Sequence, residues 1–504
     1  MRLCGLPPGS GLARRPFPEA LLIRALILVP PSKFTKNVPR DLVYGCWCKG
    51  KRIAGIQFPP LTSVMVATII RADGGQADFL DAAAEGLTVQ DVTRRAADYS
   101  LVGMLTSTMT VNEDAEFLNA LKAGNPGLKT VVFGSHPTFL PKHTLAKPGI
   151  DIAARGEFDY IVRDLARAML KGDDSWQSIP GISFRRDGQV VDNPAYPLIQ
   201  NLDGMPFADR KLLPKGVDYF NPIVKRVPFT TSYTTRGCPG LCVYCSSPRF
   251  YGRKIRYRSA ANIFEELKEI TGMGYREVFF RDEFFPVKKS RTMELCDMIL
   301  SAGMDLTWIC SARVGSVDRE SMIAMKKAGC HMIRFGVESG SQAVLDKVKK
   351  GITLEETRET FRWIHEVGLD THAHMMIGMP GETAETIEQS IRFAIEIDPT
   401  IVTFGITTPY AGTDIYDELA ATHPEIGDAS ECDLSRLHTQ GFFNQHFCDL
   451  DGPQLSDAVK RAYRKFYLRP SYMLRWLMRI KSADELRRVT LAGTKVFDFA
   501  IRGE

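Results

Sequence analysis

Short, strongly apolar runs alternate with amphipathic stretches in two blocks of this 504-residue chain, and that alternation restricts the fold more than any other feature. In the first block, Ala25 to Val29 is a buried-strand run ending at Pro30-Pro31, and a second proline pair, Pro59-Pro60, opens a helix from about Leu61 to Arg71. Strands follow at Ala77 to Leu80, Leu101 to Leu105 and Thr130 to Phe133, separated by helices near Val89 to Tyr99 and Glu113 to Ala123. Such alternation builds an α/β fold, a doubly wound parallel sheet whose ligand sits beyond the carboxyl ends of the strands. Those ends carry Thr106-Ser107-Thr108 and Gly134-Ser135-His136, small polar residues that let a ligand approach the backbone. Glycine and serine also serve as plain turn formers.

The second block, about 231 to 415, repeats the alternation, with strands near 277 to 281, 307 to 312, 332 to 337, 372 to 377 and 402 to 407. Amphipathic helices such as Ala261 to Gly272 and Asp318 to Ala328 separate them, as a partial (β/α)6 barrel requires. Residues 24–175 form the first domain, behind an extension at 1–23. Residues 176–230 read as a linker with a hairpin at Ile182 to Val191, turned by Asp187-Gly188, and no regular element from 200 to 215. Residues 416–504 form a helical region in which Val459, Ala462, Tyr463 and Phe466 share a face opposite Lys460, Arg461, Arg464 and Lys465. Such a basic helix either rests on a membrane surface, as a peripheral contact for a lipid substrate, or packs on the barrel; the ordinary amphipathic pattern favours packing.

Within the second block stands Cys238-x-x-x-Cys242-x-x-Cys245, in the stretch Arg-Gly-Cys-Pro-Gly-Leu-Cys-Val-Tyr-Cys. A four-iron cluster takes one thiolate per iron, so three leave one iron open to a ligand that is not protein. A zinc site would need a fourth Cys or His at short spacing, and none lies close by. Cys46-Trp47-Cys48, by contrast, reads as packing or substrate-facing residues. The eleven cysteines are too irregular for a disulfide framework, and an oxygen-sensitive cluster needs a reducing interior, so a cytoplasmic location is expected. A net charge of +5 gives little support to nucleic-acid binding. No apolar run reaches the roughly 18 residues of a membrane span.

The cysteine spacing, with the aromatic Tyr244 before the third thiol, resembles the radical S-adenosylmethionine (SAM) superfamily. The first domain resembles the Rossmann-like cobalamin-binding (B12-binding) domain that precedes the barrel in one branch of it. That likeness rests on Val-Pro-Pro, Phe-Pro-Pro-Leu, Phe-Gly-Ser-His-Pro-Thr and Ala-Arg-Gly-Glu. The resemblance implies a [4Fe-4S] cluster on Cys238, Cys242 and Cys245, SAM and cobalamin. It implies SAM contacts at Asp282 and Glu283 for the amino group, Arg313 for the carboxylate, Glu338 and Ser339 for the ribose, and Gly378 beside adenine. Cobalamin would meet Pro60, Thr106, Ser107, Thr108, Gly134, Ser135 and His136. The Asp-x-His-x-x-Gly pattern that supplies a histidine to cobalt elsewhere is absent, so His136 is expected near the cobalamin tail and not as an axial ligand.

The family's chemistry begins with one electron passing from the reduced cluster to SAM, which breaks to give a 5′-deoxyadenosyl radical; an external flavodoxin- or ferredoxin-type reductant is implied. Methylation of an unactivated carbon in a small molecule or lipid is the expected function, with oxidative cyclisation or rearrangement as the alternative and a non-catalytic cofactor sensor behind both. The residues handling the substrate are not identified by any motif.

Overall fold

The computed structural model describes residues 24–31, 57–170, 172–430 and 443–479, with isolated positions beyond 480. The extension at 1–23 and Cys46-Trp47-Cys48 lie outside the described residues. The first sheet is built from β1 (Arg24–Val29), β2 (Gln76–Asp81), β3 (Leu101–Leu105), β4 (Lys129–Phe133), β5 (Ile152–Ala154), β6 (Ile182–Arg186) and β7 (Gln189–Asp192). Its order is β2-β1-β3-β4-β5-β6-β7, parallel through β5. An order of 2-1-3-4-5 puts the topological switch, and hence the ligand crevice, between β1 and β3. Residues alternate along each strand between two cores: Ile27 and Val131 pack with the helices Leu61–Ala72 and Phe158–Met169, while Leu28 and Val132 pack with Val111–Gly124.

The hairpin expected in the linker belongs instead to this sheet, since β6 pairs antiparallel with β5. The reason is edge protection. β5 has only three residues, and Ile182 and Phe184 bury themselves beside Trp176 in the core it borders. The connector therefore starts after Asp192, and it contains a 3-10 turn, Arg210–Leu212, where no regular element was expected. Arg210 anchors that turn to the barrel through a buried ion pair with Glu266 at 2.7 Å.

The second sheet contains β8 (Phe229–Ser232), then, beyond a two-stranded clip of β9 (Thr235–Arg236) and β10 (Arg256–Tyr257), β11 (Glu277–Phe280), β12 (Thr307–Ala312), β13 (Cys330–Glu338), β14 (Asp370–Ile377) and β15 (Ile401–Ile406). All six strands of the order β15-β14-β13-β12-β11-β8 run parallel, and the ends do not meet, which makes a partial barrel. Outward residues such as Cys310, Phe335, Ala373 and Phe404 are sealed in one core with the surrounding helices. The helix Gly452–Tyr467 joins that core through Leu455, Val459, Ala462, Tyr463 and Phe466. Of its basic residues, Arg461 and Lys465 each reach Glu388 at 2.7 Å, so much of the charged face meets a barrel helix. No helix among the described residues is long and apolar enough to cross a membrane.

Candidate functional site

The cysteine loop is strung between the strands of the β9–β10 clip. Gly237, with φ +96, opens it, and a Cβ there would lie 2.5 Å from the Lys254 carbonyl, so only glycine fits. Backbone bonds from Cys238 to Gly252 (3.2 Å), Val243 to Val348 (3.2 Å) and Cys245 to Cys242 (3.1 Å) hold the loop's course. A Cβ placed on Gly240 would sit 3.3 Å from Cys238 Sγ and 3.7 Å from Cys242 Sγ, so the glycine leaves open a cradle that a side chain would fill. Burial pushes the Cys245 thiol up to about 12, and the neighbouring Cys242 and Cys238 add to it. Thiols in that state need a strongly cationic guest to ionise. Donor set and open cradle fit a cluster bound by three thiolates. Tyr244 is half-buried between two apolar groups, one with Val344 and Met379, the other with Ala411 and Ile415.

The acidic pair after β11 divides its work. Asp282 is fully buried and accepts bonds from the Thr234 and Thr235 amides at 2.5 and 3.0 Å and from the Thr234 hydroxyl. It braces the chain leading to the cysteine loop, so its carboxylate, expected at the SAM amino group, is engaged by the protein here. Glu283 accepts from the Ser247 hydroxyl at 3.1 Å and lines a small interdomain cleft with Thr62, Phe158, Tyr233 and Thr235. Arg313 is held by the carbonyls of Lys350 and Gly351, and its Nη1 lies 3.7 Å from the Gly240 Cβ position, beside the cradle. Glu338, at the tip of β13, adopts φ +67, a conformation costing a non-glycine residue about 1–3 kcal/mol and concentrated at functional sites. Its carboxylate pairs with Lys350 at 2.7 Å, a partner that no sequence signal marks.

Two expectations change character. Ser339 is fully buried, and its hydroxyl bonds Ser390 Oγ at 3.0 Å and accepts from the Ser341 amide at 3.1 Å, which bends the chain after β13. Gly378, with φ +78, does mark a close approach, but by protein: a Cβ there would meet Asn444 Nδ2 at 2.8 Å and Leu455 at 3.1 Å.

In the first domain the strand-end loops turn their side chains inward. Thr106 donates to Asp114 at 2.7 Å, Ser107 meets Thr110 at 3.4 Å, and Thr108 bonds His136 Nδ1 at 3.0 Å. His136 is fully buried, and its Nε2 approaches Asp428 Oδ2 to 3.4 Å, while Lys147 lies 3.3 Å from the same carboxylate. Burial holds this histidine below its usual range. Its ring thus stands between Thr108 of the first domain and Asp428 of the region after the barrel. Gly134 (φ +124) and Ser135 begin the short helix Ser135–Phe139, and Pro60 precedes the helix Leu61–Ala72. With the hydroxyls turned in, the surface left for a flat ligand is backbone; Gly156, φ +85, has open space where its Cβ would stand. These loops dock against the end of the sixth barrel strand, with Phe139 on Gly412 and Tyr410 bonding the Met109 sulfur at 3.7 Å.

The comparisons agree with this layout. Residues 232–394 match the family model "Radical SAM superfamily", and residues 54–166 match "B12 binding domain". The chain is 31% identical over 436 residues to the "Uncharacterized methyltransferase PH0819" of Pyrococcus horikoshii, covering 84% of this chain and 91% of that protein. It is 27% identical over 443 residues to the "Anaerobic magnesium-protoporphyrin IX monomethyl ester cyclase" of Rubrivivax gelatinosus, covering 84% and 76%. Among solved structures, the cobalamin-dependent SAM radical enzyme OxsB, with aqua-cobalamin and SAM bound, superposes with a TM-score of 0.67 at 16% identity over 95% of this chain and 72% of that one.

Proposed function

From the premise that the chain belongs to the radical SAM superfamily, in the branch with a B12-binding domain, we propose that it is a cobalamin-dependent C-methyltransferase. Its cofactors are a [4Fe-4S] cluster, SAM and cobalamin. The observation that supports the proposal is the docking of the first domain's strand-end loops onto the barrel's sixth strand end, with Phe139 and Leu140 packed beside Ala411, Val243 and Tyr244 of the barrel. When bound, cluster and SAM supply an oxidant able to remove hydrogen from an unactivated carbon, and cobalamin supplies a methyl group.

The chain's own residues bind, orient and exclude. Cys238, Cys242 and Cys245 offer the thiolates, and the Asp282–Thr234–Thr235 bonds hold the approach to them rigid. Arg313, tethered by two carbonyls, offers the rest of its guanidinium fork to the SAM carboxylate. Glu283 is the acid for the ammonium, and Glu338, steadied by Lys350, the acceptor for ribose hydroxyls. Apolar packing by Val344, Met379 and Tyr244 keeps water from the cradle's flank. Radical SAM enzymes draw electrons from outside; a flavodoxin or ferredoxin is the donor we assign, acting in the cytoplasm on a small-molecule substrate.

Anaerobic reconstitution with iron, sulfide and cobalamin, followed by mass spectrometry after adding SAM and reductant, tests the reading. Methyl transfer yields 5′-deoxyadenosine and S-adenosylhomocysteine together, and the second depends on cobalamin. Deoxyadenosine without S-adenosylhomocysteine in the presence of turned-over substrate would replace methylation by the cyclase-type reaction named for the Rubrivivax relative.

A further inference from the structure

The cysteine loop comes to the surface. Pro239 and Leu241 are exposed, Leu241 by 50%, and they flank Cys238 and Cys242, which are themselves only half-buried. The thiols therefore lie about one side chain below solvent. A single exposed leucine is ordinary on any protein. The charges gathered around this one are not.

Two turns of chain brace the loop, one on each side. On the first, Cys238 donates to the Gly252 carbonyl at 3.2 Å and Gly237 packs against the Lys254 carbonyl, which brings Arg253 and Lys254 to the first cysteine. On the second, Val243 donates to the Val348 carbonyl at 3.2 Å, which brings Lys347 and Lys349 to the second cysteine. All four basic residues are exposed, and among the described residues none of their side chains makes an ion pair or a hydrogen bond. The neighbouring acids do have partners. Asp346 accepts from Gln342 at 2.8 Å, and Asp414 and Asp417, held near by the bond from Ile415 to the Val243 carbonyl, take Arg249 at 3.2 and 2.5 Å. Cations stay in excess around the loop.

Resting on the radical SAM reading of this loop, we infer that Pro239 and Leu241, with Arg253, Lys254, Lys347 and Lys349 around them, form the docking surface for the electron donor, a small acidic redox protein. The step is a one-electron transfer: the carrier is oxidised and the cluster reduced, and no bond forms or breaks. A cluster held by three thiolates and an acidic carrier repel each other, and unpaired cations beside the approach offset that repulsion and steer the encounter. An apolar centre within a charged rim is the ordinary anatomy of an interface, and one this small suits a partner that must leave after each electron.

The test uses the anaerobically reconstituted, cobalamin-loaded protein with two probes, a purified bacterial flavodoxin and a plant-type ferredoxin. Binding of each carrier in its oxidised form is read by fluorescence anisotropy, without electron transfer. Reduction of the cluster by each reduced carrier is followed as stopped-flow loss of the cluster band, with photoreduced deazaflavin, a small uncharged donor, as control. For at least one carrier, affinity and second-order rate should fall as ionic strength rises. Both should drop about tenfold or more in the triple variant Lys254→Glu, Lys347→Glu, Lys349→Glu, while reduction by deazaflavin is unchanged. Charge reversal at exposed Arg362, on the helix Leu354–Val367, should leave both at the parent value. Parent-like binding and reduction of the triple variant, a rate that does not fall with salt, or failure of both carriers to reduce a cluster that deazaflavin reduces overturns the docking surface and leaves the enzyme reading intact. A protein that assembles no cluster overturns both, so the two failures are told apart.

Discussion

Gly412 is the point where the two cofactor domains press hardest, and replacing it with alanine separates backbone strain from contact. Its φ of +86 is a left-handed conformation that costs an L-residue about 1–2 kcal/mol. A Cβ would also lie 2.3 Å from two carbons of the Phe139 ring and 2.6 Å from a third, and overpacking of that kind costs about 1–3 kcal/mol. Gly412→Ala should therefore lose about 2–5 kcal/mol of the stability of the docked arrangement. Phe139→Ala removes the ring, which stands edge-on to Phe250 at 6.4 Å, and leaves room for the new methyl. In that background Gly412→Ala should cost only the backbone strain. Urea unfolding of parent, both single variants and the double variant gives the coupling, expected to favour the double by at least about 1 kcal/mol. In turnover assays Gly412→Ala should lose methyl transfer faster than SAM cleavage, because cleavage needs only the barrel. Additive single effects, within about 0.5 kcal/mol, would refute the idea that glycine stands there to admit Phe139.

Three further outcomes are expected. Cys245→Ala should fold and retain cobalamin yet lose both the cluster absorption band and SAM cleavage; parent-like cleavage would remove the cluster assignment. Gly240→Ala places a methyl in the thiol cradle, so iron and sulfide content after reconstitution should drop while the apo-protein's thermal midpoint moves little, because the one tight contact, 3.3 Å to Cys238 Sγ, asks only a thiol to shift by a few tenths of an ångström. Glu382 accepts the Gly378 and Met379 amides at 2.6 and 3.0 Å, and burial pushes its carboxyl up to about 7 from 4.5. Its folded pKa exceeds the unfolded one, so ionisation opposes folding: stability falls as pH rises between about 4.5 and 7, by roughly 3 kcal/mol at most. Glu382→Gln should flatten that slope in urea midpoints measured from pH 5 to 8, and an unchanged slope would exclude Glu382 as its source.

Much of this architecture was legible because its determinants are local. The cysteine spacing, the strand–helix periods and the apolar face of Gly452–Tyr467 each reside within about twenty residues of sequence. What escaped depends on partners far along the chain. The hairpin from Ile182 looked like linker because its reason for pairing, the short bare edge of β5, lies 28 residues upstream in register. Asp282 and Glu283 are adjacent acids at a strand end, and sequence does not say which of the two turns inward to brace Thr234. Gly378 was expected beside adenine, and the side chain that packs against it, Asn444, is 66 residues away. The pairing of Lys350 with Glu338 depends in the same way on how the chain returns after β13.

The polar residues on the inward face of the barrel strands are different, because a local signal for them exists. Parallel strands buried on both faces should read as near-continuous apolar runs. Here β12, β13 and β14 are interrupted by Ser311, by Arg334, and by His372 and His374, and β15 by Thr403, while the residues on either side stay in the outer core. A polar residue repeatedly placed at an inward position costs burial energy unless something pairs with it, and a sheltered interior is where an unpaired donor costs most. One interruption is a local accident. Interruptions on four consecutive strands, with Ser311 level with Arg334 and Arg334 level with His372, mark the face that the strands turn into the barrel.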